Sequence, residues 1–330
     1  MRYTVVCSVK DEGPFLVEWV CWQRMLGFTD IVVVTNDCTD RSPDLLEALQ
    51  AAGWVRHLRH DVPEGSNITG RKLAAAKELP EVDGADWVMV ADVDEFLVVH
   101  AGGGRLADLL AVPGRPFLGM SIPWRIFGTS WRKTWEDGLV HRQCLRAGIE
   151  GGRLNGWVKS IHRKPGWFVR LGEHSPKKLR PWRMRDWGGE GMIWVNPEGR
   201  EVTHWTPEGD SLRILPAELQ GWQVAQVNHY MLRSAESFSL KQGTLSPVAG
   251  KDRYTRAYYD KAEQNAVEDR SALRHAEAFD AIHAQAMALP GVRRLHHLCC
   301  VDYVRRLAAK AGRVAEEDPR LAHHLAAAEE

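Results

Sequence analysis

Residues 87 to 99, "WVMVADVDEFLVV", set three carboxylates, Asp92, Asp94 and Glu95, inside an otherwise aliphatic run. A buried carboxylate is costly unless it is paired or bound to a metal. At an extended strand end residues i and i+2 share a side, so the pattern predicts Asp92 and Asp94 together beyond a buried strand, with Val93 turned to the core. Two like charges that close repel unless a cation lies near them. A hard divalent ion, Mn²⁺ or Mg²⁺, prefers oxygen ligands and accepts substrate phosphates among them. The stretch therefore reads as a metal–phosphate site. The competing reading is a loop whose acids cap the next helix or pair with arginines.

Such a site needs a scaffold, and the first hundred residues supply one. Tyr3 to Val9 reads as a buried strand. Pro14 is placed to open a helix whose apolar residues Phe15, Trp19, Trp22 and Leu26 recur at helical spacing until Gly27. Strands at 31–34, 54–58 and 87–91 alternate with helices at about 43–52 and 69–79, which implies βαβ units and a parallel sheet. Ligands bind at the carboxyl ends of strands in such sheets, where the three acids fall.

The segment from 117 to 222 carries ten of the 14 tryptophans and many Gly, Pro and Arg residues. Its 185–202 stretch predicts a long loop or short hairpins. Helix formers dominate after Ser234, with helices expected over 257–289 and 292–311 and a frayed Glu/Ala-rich end. His296-His297-Leu298-Cys299-Cys300 resembles a metal motif, but adjacent ligands crowd a tetrahedral shell, so it reads as a helix face.

Lysine plus arginine equals aspartate plus glutamate at 43 each, so no global basic field would draw nucleic acid. The six cysteines are scattered without a CxxC pair, which fits reduced thiols. No signal-like leader or 18-residue apolar window occurs, so a soluble cytoplasmic chain is expected. Arg293-Arg294 and Arg305-Arg306 are candidate peripheral contacts to the inner-membrane surface, although two pairs are few for anchoring.

Five blocks in order, "VVCSVKDEGPFLVEWVCWQRMLGFTDIVVVTNDCTDRSPDLL", "ADVDEFL", "KSIHRKP", "GEHSP" and "VNHYMLRSAESFSLK", together resemble the nucleotide-sugar-dependent glycosyltransferases of GT-A fold. The resemblance is to the bacterial family-2-like group related to the DUF23 family and spans roughly residues 3 to 275. Asp11 departs from it, standing where Asn is usual.

The resemblance implies a GT-A-like domain over 1–247, with a nucleotide-binding half (1–100), an acceptor half (101–247) and a helical segment (248–330). It implies that Lys10, Asp11 and Glu12 line the nucleotide pocket, that Asp37 contacts base or ribose, and that Arg71 joins the donor-binding set. Asp92, Asp94 and His229 would hold the metal, and Lys241 would neutralise the departing diphosphate. Alone, His229 reads as a core group and Lys241 as a surface lysine. An inverting transfer to a glycan or lipid-linked acceptor needs a carboxylate base, for which Asp137 and Glu173 compete. The segment 159–178, with Lys159, His162, Arg163, Glu173, His174 and Trp167, is the candidate sugar-binding stretch, and two or three of the ten tryptophans are expected at the acceptor cleft. Two other classes stay open: a non-catalytic nucleotide-sugar-binding relative, and a phosphatase using a DxD aspartate as nucleophile.

Overall fold

The computed structural model describes residues 1–63, 65–152, 154–209, 211–244 and 252–330. β1 (Tyr3–Val9) and β2 (Asp30–Thr35) are buried runs of branched residues that pair in parallel, Thr4 with Asp30 through Val9 with Thr35. Between them α1 (Gly13–Leu26) opens at Pro14 and ends at Gly27, whose φ of +97° suits a left-handed helix stop. α2 (Ser42–Ala51) precedes β3 (Arg56–Arg59). α3 (Ile68–Lys77) follows, capped by the Asn67 side chain on the Gly70 N–H at 2.7 Å, and β4 (Trp87–Val90) completes the sheet order β3-β2-β1-β4, all parallel.

Beyond β4 the sheet becomes mixed. The strand Val158–Arg163 lies antiparallel between β4 and β6 (Gly119–Ile126), and the strand Ala225–His229 runs parallel to β6 and antiparallel to β5 (Glu95–Val99). The result is an α/β architecture around a nine-stranded sheet with a helical C-terminal part, as the sequence leads one to expect.

Three local expectations are corrected. Asp92-Val93-Asp94 is a tight turn closed by the Glu95 N–H on the Asp92 carbonyl at 3.0 Å, so it is not an extended strand end and the two acids need not share a side. The helix expected over 257–289 is interrupted: Arg256–Ala262 and Ala276–Met287 are helical, while Val267–Glu268 pairs with Arg146–Ala147. The Arg146 guanidinium donates to the carbonyls of Asn265 and Ala266, which fixes that backbone in extended form. The C-terminal end is a helix, Pro319–Ala327, capped by Asp318 and burying Leu321 and His324.

The boundary expected at 247–248 falls outside the described residues. The helices Ala276–Met287 and Val292–Lys310 pack on α1, and Phe279, Val304 and Leu307 share one hydrophobic core with Trp19 and Val33. Five of the ten mid-chain tryptophans, Trp124, Trp135, Trp194, Trp205 and Trp222, are buried. Trp194 stacks on Trp205 at 4.5 Å in a smaller cluster, and the short strand Trp194–Val195 adds to β6.

Candidate active site

β1, β2 and β4 end at the same sheet edge, where a cavity of about 670 Å³ opens, within the range of about 300–1,000 Å³ usual for small-molecule sites. Six cationic side chains line it: Lys10, Lys72, Arg233, Lys241, Arg253 and Arg306. So do five acids, Asp11, Glu12, Asp92, Asp94 and Glu173, together with His229.

The turn after β4 distributes its acids between two sets of partners. Asp92 Oδ2 and Glu95 Oε2 each lie 2.9 Å from Lys159 Nζ, and Lys159 and Glu95 are wholly buried. Burial opposes the Lys159 charge, but Asp92 and Glu95 outweigh it and raise its pKa. Burial lifts Glu95 well above the usual carboxylate range, against the pull of Lys159. Asp94 faces the other way, with Oδ1 3.4 Å from His229 Nε2 and Oδ2 3.3 Å from Lys241 Nζ. Burial would raise Asp94, yet Lys241, His229 and Arg233 prevail and hold it well below the usual range. The register explains the meeting across more than 130 residues, because His229 pairs directly with Glu95 between antiparallel strands. Lys241 ends the helix Ala235–Lys241, which Ser234 caps, and also donates to the Met231 carbonyl.

Asp92, Asp94 and His229 do not form a trio within 4.8 Å among the described residues. The structure joins Asp94 and His229 and keeps Asp92 on Lys159. Buried polar atoms without a partner among the described residues gather here: Asn36 Oδ1, Glu95 Oε1, Trp124 Nε1, His229 Nδ1 and Arg233 Nη2. Such atoms call for a ligand or a functional reason.

Lys10, Asp11 and Glu12 line the cleft as expected, but two of them are braced to the protein. Asp11, at φ +56°, accepts from the N–H groups of Thr39 at 2.5 Å and Asp40 at 3.2 Å, tying the loop after β1 to the loop after β2. Glu12 pairs with buried Arg233 at 2.6 Å. Asp37 and Arg71 are absent from the cleft lining, which their chain neighbours Asn36 and Lys72 join. Asp37 is exposed while buried Asn36 lines the cleft, and Arg71 is exposed while Lys72 points inward and donates to the Val9 carbonyl at 3.0 Å. Burial pushes Lys72 down to about 8.

Asp137 is absent from the cleft lining. It stands against the C-terminal helices, 3.3 Å from His296 Nε2; burial would raise it, but the surrounding histidines bring it down to about 2, too acidic for a good base near neutrality. Glu173 does line the cleft, and burial followed by the charge of Asp92 raises its pKa. His174 donates from Nδ1 to the Val158 carbonyl at 2.9 Å and packs beside Trp124 and Trp157, which stack at 5.6 Å. These two are the tryptophans among the ten that line the cleft. His162 and Trp167 belong to the packing around Phe168 and Arg183 instead. Of the arginines considered for lipid, Arg306 turns inward and donates to the Asp11 carbonyl at 3.2 Å. No helix among the described residues is long and apolar enough to cross a membrane.

No family model matches the chain, and no curated protein matches it. Among solved structures it is similar to S. aureus TarS 1–349, at 12% identity and TM-score 0.33, covering 99% of this chain and 88% of that one. It is also similar to glucosyl-3-phosphoglycerate synthase from Mycobacterium tuberculosis in complex with Mn²⁺, uridine diphosphate and phosphoglyceric acid, at 14% identity and TM-score 0.31, covering 61% and 70%. A third is HddC from Yersinia pseudotuberculosis, at 12% identity and TM-score 0.28, covering 50% and 77%. These likenesses are too remote to carry a function across.

Proposed function

We propose that the chain is a GT-A-type glycosyltransferase that uses a nucleoside-diphosphate sugar. The observation that carries this reading is the sheet-edge cleft in which the Asp94–His229 pair stands among six cations and four further acids. A group with several negative charges, accompanied by a divalent ion, suits that composition.

The donor set fits such an ion. The 3.4 Å between Asp94 Oδ1 and His229 Nε2 exceeds a charge-assisted hydrogen bond of about 2.7–2.9 Å. It suits two ligands each about 2.1 Å from one cation. Asp94 and His229 are therefore the proposed ligands, with an imidazole favouring Mn²⁺ somewhat over Mg²⁺; Asp92, held on Lys159, is outside that pair. When bound, the ion would supply positive charge to a departing diphosphate.

The chain's own residues supply the rest. Lys241, and Lys72 below about pH 8, place positive charge where a diphosphate leaves. Glu173 is the carboxylate of the cleft best suited to take the proton of an acceptor hydroxyl, since burial moves its pKa toward neutrality. Trp124 and Trp157 offer aromatic faces to a sugar ring, which favours a glycan acceptor or the glycan part of a lipid-linked one. A phosphatase with a nucleophilic DxD aspartate needs its first Asp free to attack phosphorus. Asp92 is instead salt-bridged to Lys159 and follows the fourth strand.

Incubation with a panel of nucleotide sugars and Mn²⁺ tests this. Slow donor hydrolysis for at least one sugar, lost in Asp94→Asn, is expected. Binding without turnover of any donor would favour the non-catalytic relative, and neither binding nor turnover would overturn the reading.

A further inference from the structure

The helix Val292–Lys310 places His296 and Cys300 one turn apart on a buried face, with His297 beside them. From another direction the loop carrying Asp137 meets this face, and the helix Pro319–Ala327 brings buried His324. The donor atoms converge closely. Asp137 Oδ2 is 3.3 Å from His296 Nε2, His296 Nε2 is 3.7 Å from Cys300 Sγ, and His297 Nδ1 is 3.1 Å from His324 Nδ1. Ligand atoms of Asp137, His296 and His297 lie within 4.8 Å of one another, and so do those of Asp137, Cys300 and His324.

Bonds of about 2.0 to 2.3 Å in a tetrahedral zinc shell place neighbouring ligand atoms about 3.3 to 3.8 Å apart, which the 3.3 and 3.7 Å around His296 match; the described donors form two trios sharing Asp137, so a fourth ligand has to close in as the ion binds. Imidazole, thiolate and one carboxylate are also the donors such an ion prefers, whereas Mn²⁺ and Mg²⁺ prefer oxygen. The distant Asp137 loop and two consecutive C-terminal helices thus present a mixed nitrogen, sulfur and oxygen cluster with no lysine or arginine ion pair on Asp137 among the described residues.

We propose that this cluster is a structural zinc site, with Asp137 as a ligand and three of His296, His297, Cys300 and His324 completing a tetrahedron. Where Cys300 ligates, its S–H proton passes to solvent as the sulfur–zinc bond forms, without change of oxidation state. The ion would tie the Asp137 loop to both C-terminal helices. One of these also carries Tyr303 and Arg306, which line the cleft, so the site would hold one wall of that cleft in place.

A third cluster, Asp11, Cys38 and Asp40, offers similar donor types. Its carboxylates are already occupied by the N–H groups of Thr39, Asp40, Ser42 and Gly13, which argues against a metal there.

The test uses the untagged full chain, stripped with a chelator, dialysed and titrated with Zn²⁺ against a chromophoric competitor. Uptake of about one ion per chain at submicromolar free zinc is expected. Asp94→Asn and Cys38→Ser should keep it. A His297→Ala, His324→Ala double variant, confirmed folded by circular dichroism, should lose it. Tetrahedral visible bands from Co²⁺, with a sulfur charge-transfer band that Cys300→Ser removes, would report the thiolate. No uptake by the wild type, or uptake that survives the double variant, would overturn the proposal. Because the wild-type titration decides by itself, a variant that fails to fold does not protect the idea.

Discussion

Two aspartate–histidine clusters among the described residues stand in contrasting surroundings. Asp94 and His229 sit at the carboxyl edge of the sheet, where Lys241 and Arg233 add fixed positive charge and a 670 Å³ cavity leaves room for a ligand. Asp137, partly open to solvent, meets histidines and a thiol of the C-terminal helices. Under the two proposals, residue type alone does not separate a catalytic from a structural centre. What separates them is the surrounding charge and the space left over. A developing phosphate charge needs cations and access, while a structural ion needs a closed set of soft or borderline donors.

Parallel substitutions in the two clusters sharpen that contrast. The largest effect is expected from Glu173→Gln, which removes the proposed base and should lower kcat by about 10²- to 10⁴-fold with donor affinity unchanged; single-turnover rates with donor titrations check it. Asp94→Asn should cost about 10²-fold or more in kcat with little change in Tm, whereas Asp137→Asn should lower Tm and leave kcat nearly intact. Paired kinetics and thermal unfolding would break the comparison if the two variants behaved alike. His229→Ala should cost less than Asp94→Asn and alter the ranking of Mn²⁺ against Mg²⁺ in activity.

A smaller effect follows from Lys72. Its ammonium, pushed down to about 8, is charged below that pH and neutral above it. Nucleoside-diphosphate affinity should therefore fall as pH rises through about 8. Lys72→Met should bind more weakly at pH 7 and flatten that dependence, as calorimetry across the range would show.

The βαβ elements were legible because each carries a strong apolar period and its own breakers, from Pro14 and Gly27 around α1 to the aliphatic run of β4. The nearness of His229 to the DxD turn was legible too, since both strand ends were placed at one edge, and the register with Glu95 bears that placement out. Finer placement was not. Neighbouring residues on a helix point about 100° apart, so choosing Arg71 over Lys72 moved the charge from cleft to solvent. The same single step separates Asp37 from Asn36. The turn at Asp92-Val93-Asp94 defeated the two-residue periodicity of a strand, because a backbone hydrogen bond folds the chain back between the acids. Lys159 gave no signal as the buried partner of two carboxylates, since pairing across the sheet is non-local. Asp137 was misplaced for the same reason: the histidines around it lie about 160 and 190 residues away in sequence, a separation that follows from the numbering.

Calorimetric titration of the full chain with a panel of nucleoside diphosphates, in Mn²⁺ and again in EDTA, tests the central claim most directly. Binding of at least one nucleotide in Mn²⁺, weakened sharply by EDTA and by Asp94→Asn, is the expected result. Equal affinity with and without the metal, or none for any nucleotide, would contradict the assignment of the Asp94–His229 cleft to a metal-assisted diphosphate.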